Sequence, residues 1–383
     1  MIKTGLSVLI ETRLSELKNA RIGIAANHAS VTPDLAHISD ALSDAEVNIK
    51  ALFGPEHGAR GDVGDGMEVG DYMDPRLGVP VYSLYGKHKA PTSQMLDGID
   101  IMLVDLQDVG SRFYTFLYTM SAVMDACAKC SIPVWILDRP NPISGLNPDG
   151  PVLDTQFSSF VGMYPIAQRH AMTVGELARY FHSEFSVGAE PEVIQMQGWS
   201  RNTWFDQTGL PWVMPSPGMP TLDTATVYPG TCLFEGTNVS EGRGTTRPFE
   251  IFGAPWIDPV LLHKAMINYN LPGVQYREAY FIPTWSKHAN ARCAGLQIYV
   301  TDREIYRPVV TGIAALCAIQ KLHPNDFAFL PPNSEGRHFF DLLTGSSRIR
   351  EAIESGKSPQ DIAQSWHNEL KMFCNSSTEC LLY

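Results

Sequence analysis

No stretch of this 383-residue chain is apolar for long enough to cross a membrane. The longest mostly apolar run, 309–319, is interrupted by Thr311 and Gly312 and stops well short of the ~18–20 residues a spanning helix needs. An export signal is missing too: the brief apolar stretch after Lys3 ends at Glu11, with no small-x-small cleavage site. Basic charge is scarce. With 29 Lys plus Arg against 41 Asp plus Glu, the formal net charge is −12. No basic stripe is present to neutralise phosphates, which argues against a nucleic-acid partner. The seven cysteines are an odd, scattered set in which only Cys127 and Cys130 have CxxC spacing. No second pair completes a zinc tetrahedron, so ordinary burial in a cytoplasmic protein is expected and no metal site.

Several functional signatures are absent as well. No G-x-G-x-x-G follows the first strand-like segment, and there is no G-x-S-x-G elbow or H-E-x-x-H helix. The glycine-rich GDVGDG at 61–66 carries aspartates that would repel phosphate, lacks the Lys-Ser/Thr of a P-loop, and misses the ligand spacing of a calcium loop.

What is present is an alternation. Segments 21–27 (RIGIAAN), 47–53 (VNIKALF), 79–84 (VPVYSL), 99–106 (IDIMLVDL) and 132–138 (IPVWILD) are short apolar runs that read as strands buried on both faces. Thr32-Pro33 predicts a helix start ahead of Leu35, Ile38 and Leu42, and 114–130 is long enough for another helix. Thr173 and Glu176 form a capping box before a third, followed by a strand near 192–196. Strand, helix, strand in repetition implies an α/β fold with a parallel sheet. The proline-rich 211–220 segment (PWVMPSPGMP) suggests a division near residue 225, giving domains 1–225 and 226–383. The second is expected to be a smaller α+β unit, with a strand near 296–300, a helix ending at Leu322, and a final helix capped by Ser358 with the stripe Ile362, Trp366, Leu370 and Phe373.

In an open parallel sheet, ligands bind beyond the carboxyl ends of the strands. Those ends present Asn27 and His28 after the first strand, and Glu56, His57 and Arg60 after the second. Asp105, Gln107, Asp108 and Arg112 follow the fourth, and Asp138, Arg139 and Asn141 the fifth. A carboxyl at a crevice floor can serve as a general acid, which singles out Glu56, although an ion pair with Arg60 would close that loop instead. A second concentration, EGTNVSEGRGTTRPFE at 235–250, reads as a binding loop or as a charged turn with internal ion pairs. Trp199, Trp204, Trp212 and Trp256 bracket it, as stacking surfaces or as core.

The segments FGPEHGARG (53–61), DLQDVGSRFYT (105–115), LDRPNPISG (137–145), YPIAQRHAMTVGELA (164–178), the long block at 211–258 and the closing LLY resemble the exo-β-N-acetylmuramidase family over nearly the whole chain. The resemblance implies a Rossmann-like N-terminal domain, a smaller C-terminal domain and an active-site cleft between them. It also implies hydrolysis of terminal, non-reducing β-1,4-linked N-acetylmuramic acid from peptidoglycan fragments, without a metal or nucleotide cofactor. Position by position it marks Glu56 as the acid, with Asp105, Asp138 and Glu241 as candidates for the second catalytic role. His57, Arg60, Asp108, Arg139, Asn141, Glu235, Asn238 and Arg243 become candidate substrate-binding residues, Arg243 or Arg139 for the lactyl carboxylate. Gly54, Ala59 and Gly218 depart from the family pattern, where a serine, a bulkier residue and an asparagine are common. The missing export signal favours imported disaccharides as substrate. Two other readings are a non-catalytic muropeptide-binding protein and a deacetylase acting on an amino sugar.

Overall fold

The computed structural model describes residues 2–61 and 70–383, so most of the 61–66 glycine-rich motif lies outside the described residues. Its strands are β1 (Arg21–Ala26), β2 (Asn48–Gly54), β3 (Tyr72–Met73), β4 (Pro80–Ser83), β5 (Ile101–Asp105), β6 (Val134–Leu137), β7 (Asp149–Val152), β8 (Ala167–Arg169), β9 (Glu192–Ile194), β10 (Ile251–Ala254), β11 (Val274–Phe281) and β12 (Cys293–Val300). Seven form one sheet in the order β3-β4-β2-β1-β5-β6-β9, parallel throughout except for the antiparallel edge strand β3.

The sheet is buried on both faces, as its apolar runs require. Along β5, Met102 and Val104 join one core while Leu103 joins the other, and in β6 Val134 and Ile136 alternate with Trp135 and Leu137. One core is closed by the N-terminal helix Gly5–Thr12 and by Ile38–Asp44, the other by Phe116–Lys129 and Val174–Phe185. The capping box forms: Thr173 Oγ1 accepts from the Glu176 amide and Glu176 from the Thr173 amide. The Thr32-Pro33 helix start does not. Thr32 Oγ1 donates to Asp34 and accepts from Ala36 N, closing a turn, Leu35 takes a left-handed φ of 70°, and the helix begins at Ile38 under a His37 cap. The threonine side chain satisfies a turn in place of a helix end.

Beyond the irregular 211–220 segment, β10, β12 and β11 make a three-stranded antiparallel sheet backed by helices Pro259–Asn268 and Pro308–Leu322. Residue 225 lies inside the helix Leu222–Thr231, which crosses Pro308–Leu322 so closely that a Cβ on Gly312 would sit 2.3 Å from the Gly230 carbonyl oxygen. One continuous apolar core includes side chains from both halves of the chain. Arg112 fastens them further: fully buried, it donates to the carbonyls of Pro151, Ile166 and, across the halves, Leu343. Burial pulls its pKa down to about 10, still far above neutrality. The expected final helix is two, Pro359–Gln364 and His367–Ser377, with Trp366 buried at the break.

The C-terminus is clasped by the end of the sheet. Tyr383 donates its hydroxyl to Asp138 Oδ2 at 2.7 Å and accepts from the Met196 amide, while Leu382 N donates to Glu176. Asp138 is fully buried, and burial raises its carboxyl from 3.8 to about 7. Between about pH 4 and 7 the native state therefore holds a proton that the unfolded chain has released. The associated stability is complete below pH 4 and is lost as pH rises to 7. Urea denaturation should show unfolding free energy falling across this window, and Asp138→Asn should remove that component of the slope; an identical slope in the variant would exclude Asp138 as its source.

Candidate active site

β2 ends in a tight reversal. A Cβ on Gly54 would lie 2.5 Å from the Ala59 amide nitrogen, Gly58 N donates to Pro55 O, and His57 and Gly58 both have positive φ. The reversal holds Glu56, half-buried, at the carboxyl edge of the sheet, where it accepts from Thr115 Oγ1 at 3.2 Å. The Glu56–Arg60 pair does not form. Arg60 instead bridges Asp74 at 2.6 Å and Asp40 at 3.0 Å, which stitches the loop to the sheet's flank and leaves Glu56 to the cavity.

That cavity, of 450 Å³, lies between the β2 and β5 rim and the C-terminal half. It brings together Glu56, His57, Glu235, Glu241 and Arg243 from the sequence-derived candidates. Arg243 Nε donates to Glu235 Oε1 at 2.9 Å and stands 3.9 Å from Glu241 Oε1, its guanidinium 5.0 Å from the Phe249 ring centroid. Gly218 also lines the cavity, and a Cβ there would come within 3.1 Å of Arg243, so the missing side chain leaves the guanidinium its room. Burial raises the Glu235 carboxyl pKa, with Arg243 opposing and Glu241 adding to the rise.

Lys287 completes the group and had no motif to announce it. Its ammonium donates to the carbonyls of Phe234, Thr237 and Val239 and pairs with Glu241 Oε2 at 2.8 Å. That contact holds the Glu241 oxygen, itself inaccessible to solvent, against the ammonium. Lys287 sits between β11 and β12 in TWSKHAN (284–290), where Ser286, His288 and Asn290 have left-handed backbones. Trp285, Thr115, Ser216 and Phe339 are further lining residues that spacing alone did not mark. Trp199, Trp204, Trp212 and Trp256 do not line the cavity; Trp199 packs edge-on against Tyr383 and Trp204 is buried core.

The remaining candidates serve internal contacts away from the cavity. Asp105, fully buried, is held by a two-pronged ion pair with Arg139, whose guanidinium also donates to Val31 O. Asp138 is engaged by Gly175 N, Arg139 N, Thr173 Oγ1 and Tyr383 and does not line the cavity. Asp108 accepts from Gly110 N and His170 Nε2, and Asn141 ties Met172 O to Ile143 N. Asn238 bridges Asp326 O and Ala328 N. Apart from Asn238, each is a polar side chain at or beside a strand end that satisfies buried backbone or a buried partner, a use that strand-end position does not distinguish from catalysis. The 235–250 segment is divided likewise: Arg247 and Glu250 pair with each other, and Glu250 accepts from Thr224 Oγ1 at the start of a helix. Among the described residues, no group of three or more His, Cys, Asp or Glu side chains is arranged to hold a metal ion.

The fold and the cavity define an α/β protein with a Rossmann-like sheet and a smaller C-terminal unit, carrying at its sheet rim a cavity lined by carboxylates and cations. The chain belongs to the exo-β-N-acetylmuramidase NamZ family: the family's N-terminal model matches residues 22–223 and its C-terminal model residues 226–383. It is 47% identical, over all of its length and 91% of the relative's, to the peptidoglycan β-N-acetylmuramidase NamZ of Bacillus subtilis (strain 168). Two crystal structures of DUF1343 family proteins from Bacteroides fragilis match it over 100% of this chain and 99% of each of theirs. They do so with TM-scores of 0.91 and 0.79 at 34% and 32% identity.

Because Asp105 and Arg139 are both desolvated, removing one partner strands a buried charge. Arg139→Met should lower unfolding free energy by about 3–5 kcal/mol, measured by urea denaturation; a loss below about 1 kcal/mol would mean the pair behaves like a surface contact.

Proposed function

We propose that this protein is an exo-acting glycoside hydrolase that releases non-reducing terminal β-1,4-linked N-acetylmuramic acid from peptidoglycan-derived fragments. Family membership across both halves supports the reaction class. The observation that carries the site is Glu56, a half-buried carboxylate held at a cavity that also contains Arg243 and Lys287. Glycoside hydrolysis needs an acid to protonate the leaving oxygen and a second group to orient or supply the nucleophile. Glu56 is assigned as the acid. Arg243 is assigned to the lactyl carboxylate, which a planar guanidinium can meet with two parallel hydrogen bonds. Arg139, the alternative, is already committed to Asp105. Of the carboxylates considered for the second role, Glu241 is the one that lines the cavity, its carboxylate paired with Lys287. The seven free cysteines fit a reducing compartment, and we place the reaction in the cytoplasm on imported fragments.

The charge balance of the cavity makes binding sensitive to pH. Within the cluster of Arg243, Lys287, Glu235 and Glu241, protonating Glu235 changes the net charge from 2 − 2 = 0 to 2 − 1 = +1. Since burial raises the Glu235 pKa, an anionic sugar should bind best below that raised value and less well as pH climbs through it. KM for the disaccharide N-acetylmuramyl-β-1,4-N-acetylglucosamine should therefore rise with pH, and Glu235→Gln should flatten the rise; a parallel profile in the variant would assign the titration elsewhere. Glu56→Gln should lower kcat by roughly 10²–10⁴-fold while the folded state and disaccharide binding persist, read by mass spectrometry of released monosaccharides and by calorimetry. Near-normal hydrolysis by this variant would remove Glu56 as the acid. Binding without release by the unaltered protein would favour a muropeptide-binding role.

A further inference from the structure

A second cavity, of 430 Å³, adjoins the first, and Glu56 and Thr115 line both. Its character is different. Leu84, Tyr85, Tyr118, Phe160 and Met163 give it a largely apolar wall, and among the described residues Lys89 is its one charged lining residue besides Glu56. Phe160 stacks on Phe339 of the first cavity, with ring centroids 6.3 Å apart and planes at 15°, so the two cavities also share an aromatic edge. Phe160 and Met163 remain 48% and 37% exposed, large apolar side chains left in water at a concave surface.

We propose that this second cavity is the leaving-group subsite, which holds the uncharged amino sugar expelled when the muramyl bond breaks. The inference rests on the muramidase reading above. A group that protonates a glycosidic oxygen must stand between the two sugars which that oxygen joins, and Glu56 is the acidic side chain common to both cavities. The volumes, 450 and 430 Å³, lie within the range of small-molecule sites, and the shared Glu56 and Thr115 make the two cavities adjacent, as two linked sugars require. The two linings differ as the two sugars do. The muramyl unit carries a carboxylate and meets the cavity with Arg243 and Lys287. The leaving N-acetylglucosamine carries no charge and presents the C–H faces of its ring, which aromatic and thioether side chains cover without losing hydrogen bonds. In the reaction the anomeric C1–O bond breaks and the departing oxygen takes the proton of Glu56. Water supplies the hydroxyl at C1, and its remaining proton restores Glu56.

The test compares the unaltered enzyme with Phe160→Ala and Met163→Ala on two substrates: the disaccharide N-acetylmuramyl-β-1,4-N-acetylglucosamine, and N-acetylmuramyl β-fluoride, whose leaving group is too small to fill the cavity. The ratio of kcat/KM on the disaccharide to that on the fluoride should fall roughly tenfold or more in each variant. Because the ratio is taken within one protein sample, a partly unfolded variant does not mimic the result. An unchanged ratio in both variants overturns the proposal. A loss seen only with a disaccharide that bears a stem peptide also overturns it and assigns the cavity to the peptide. If the unaltered protein hydrolyses neither substrate, the muramidase reading itself has failed and its leaving-group subsite with it.

Discussion

The ion pair between Asp105 and Arg139 governs where a ligand can sit in this molecule. It is buried where the strand order of the sheet turns from β2 on one side of β1 to β5 on the other. That crevice is where open α/β sheets usually take their ligands. Here it is filled: Arg139 bridges Asp105 and the Val31 carbonyl, and the Ser30 hydroxyl lies within hydrogen-bonding reach of Asn27 Oδ1 and the Asp105 carbonyl. Two ions taken out of water demand a full set of partners, and the surrounding loops supply it. The open space is displaced along the rim to the end of β2, where the C-terminal half of the chain closes over it.

The displacement explains the division of labour between the halves. The sheet contributes Glu56 on a constrained reversal, while the C-terminal half brings Glu235, Glu241, Arg243 and Lys287. Neither set is complete alone. Contacts that join the halves, the Gly230 and Gly312 helix crossing and the Arg112 link to Leu343, therefore position the site as much as they stabilise the fold. Within the cluster, two cations and two carboxylates hold one another at a depth where an isolated charge would be costly, and burial raises the Glu235 pKa, with Arg243 opposing and Glu241 adding to the rise.

The elements most legible in the sequence are those set by local chemistry. The buried strands 21–27, 47–53, 79–84, 99–106 and 132–138 correspond to β1, β2, β4, β5 and β6, because a strand covered on both faces must be apolar along its whole length. The Thr173 and Glu176 capping box is equally local and forms as read. Less legible are β3, two residues long, β10, only four residues long, and β11, whose mixed burial gives no continuous apolar run. Thr32-Pro33 misled because a threonine side chain closes a turn with the same atoms that cap a helix.

Sequence by itself determined the two-sided α/β sheet and the chemical types gathered at its rim, and it singled out the 235–250 segment and Glu56 as candidates, since composition, periodicity and long ordered motifs are properties of the chain alone. Only the tertiary structure decided which of those polar residues face a cavity. Asp105, Asp108, Asp138, Arg139 and Asn141 stand at strand ends just as Glu56 does, yet each is turned inward onto a partner contributed by a distant segment. Lys287 is the converse, a loop lysine with no spacing signature that three carbonyls and Glu241 draw into the site. The reason is physical: a polar side chain serves structure or ligand according to whether burial has already given it its partners, and those partners lie far away along the chain.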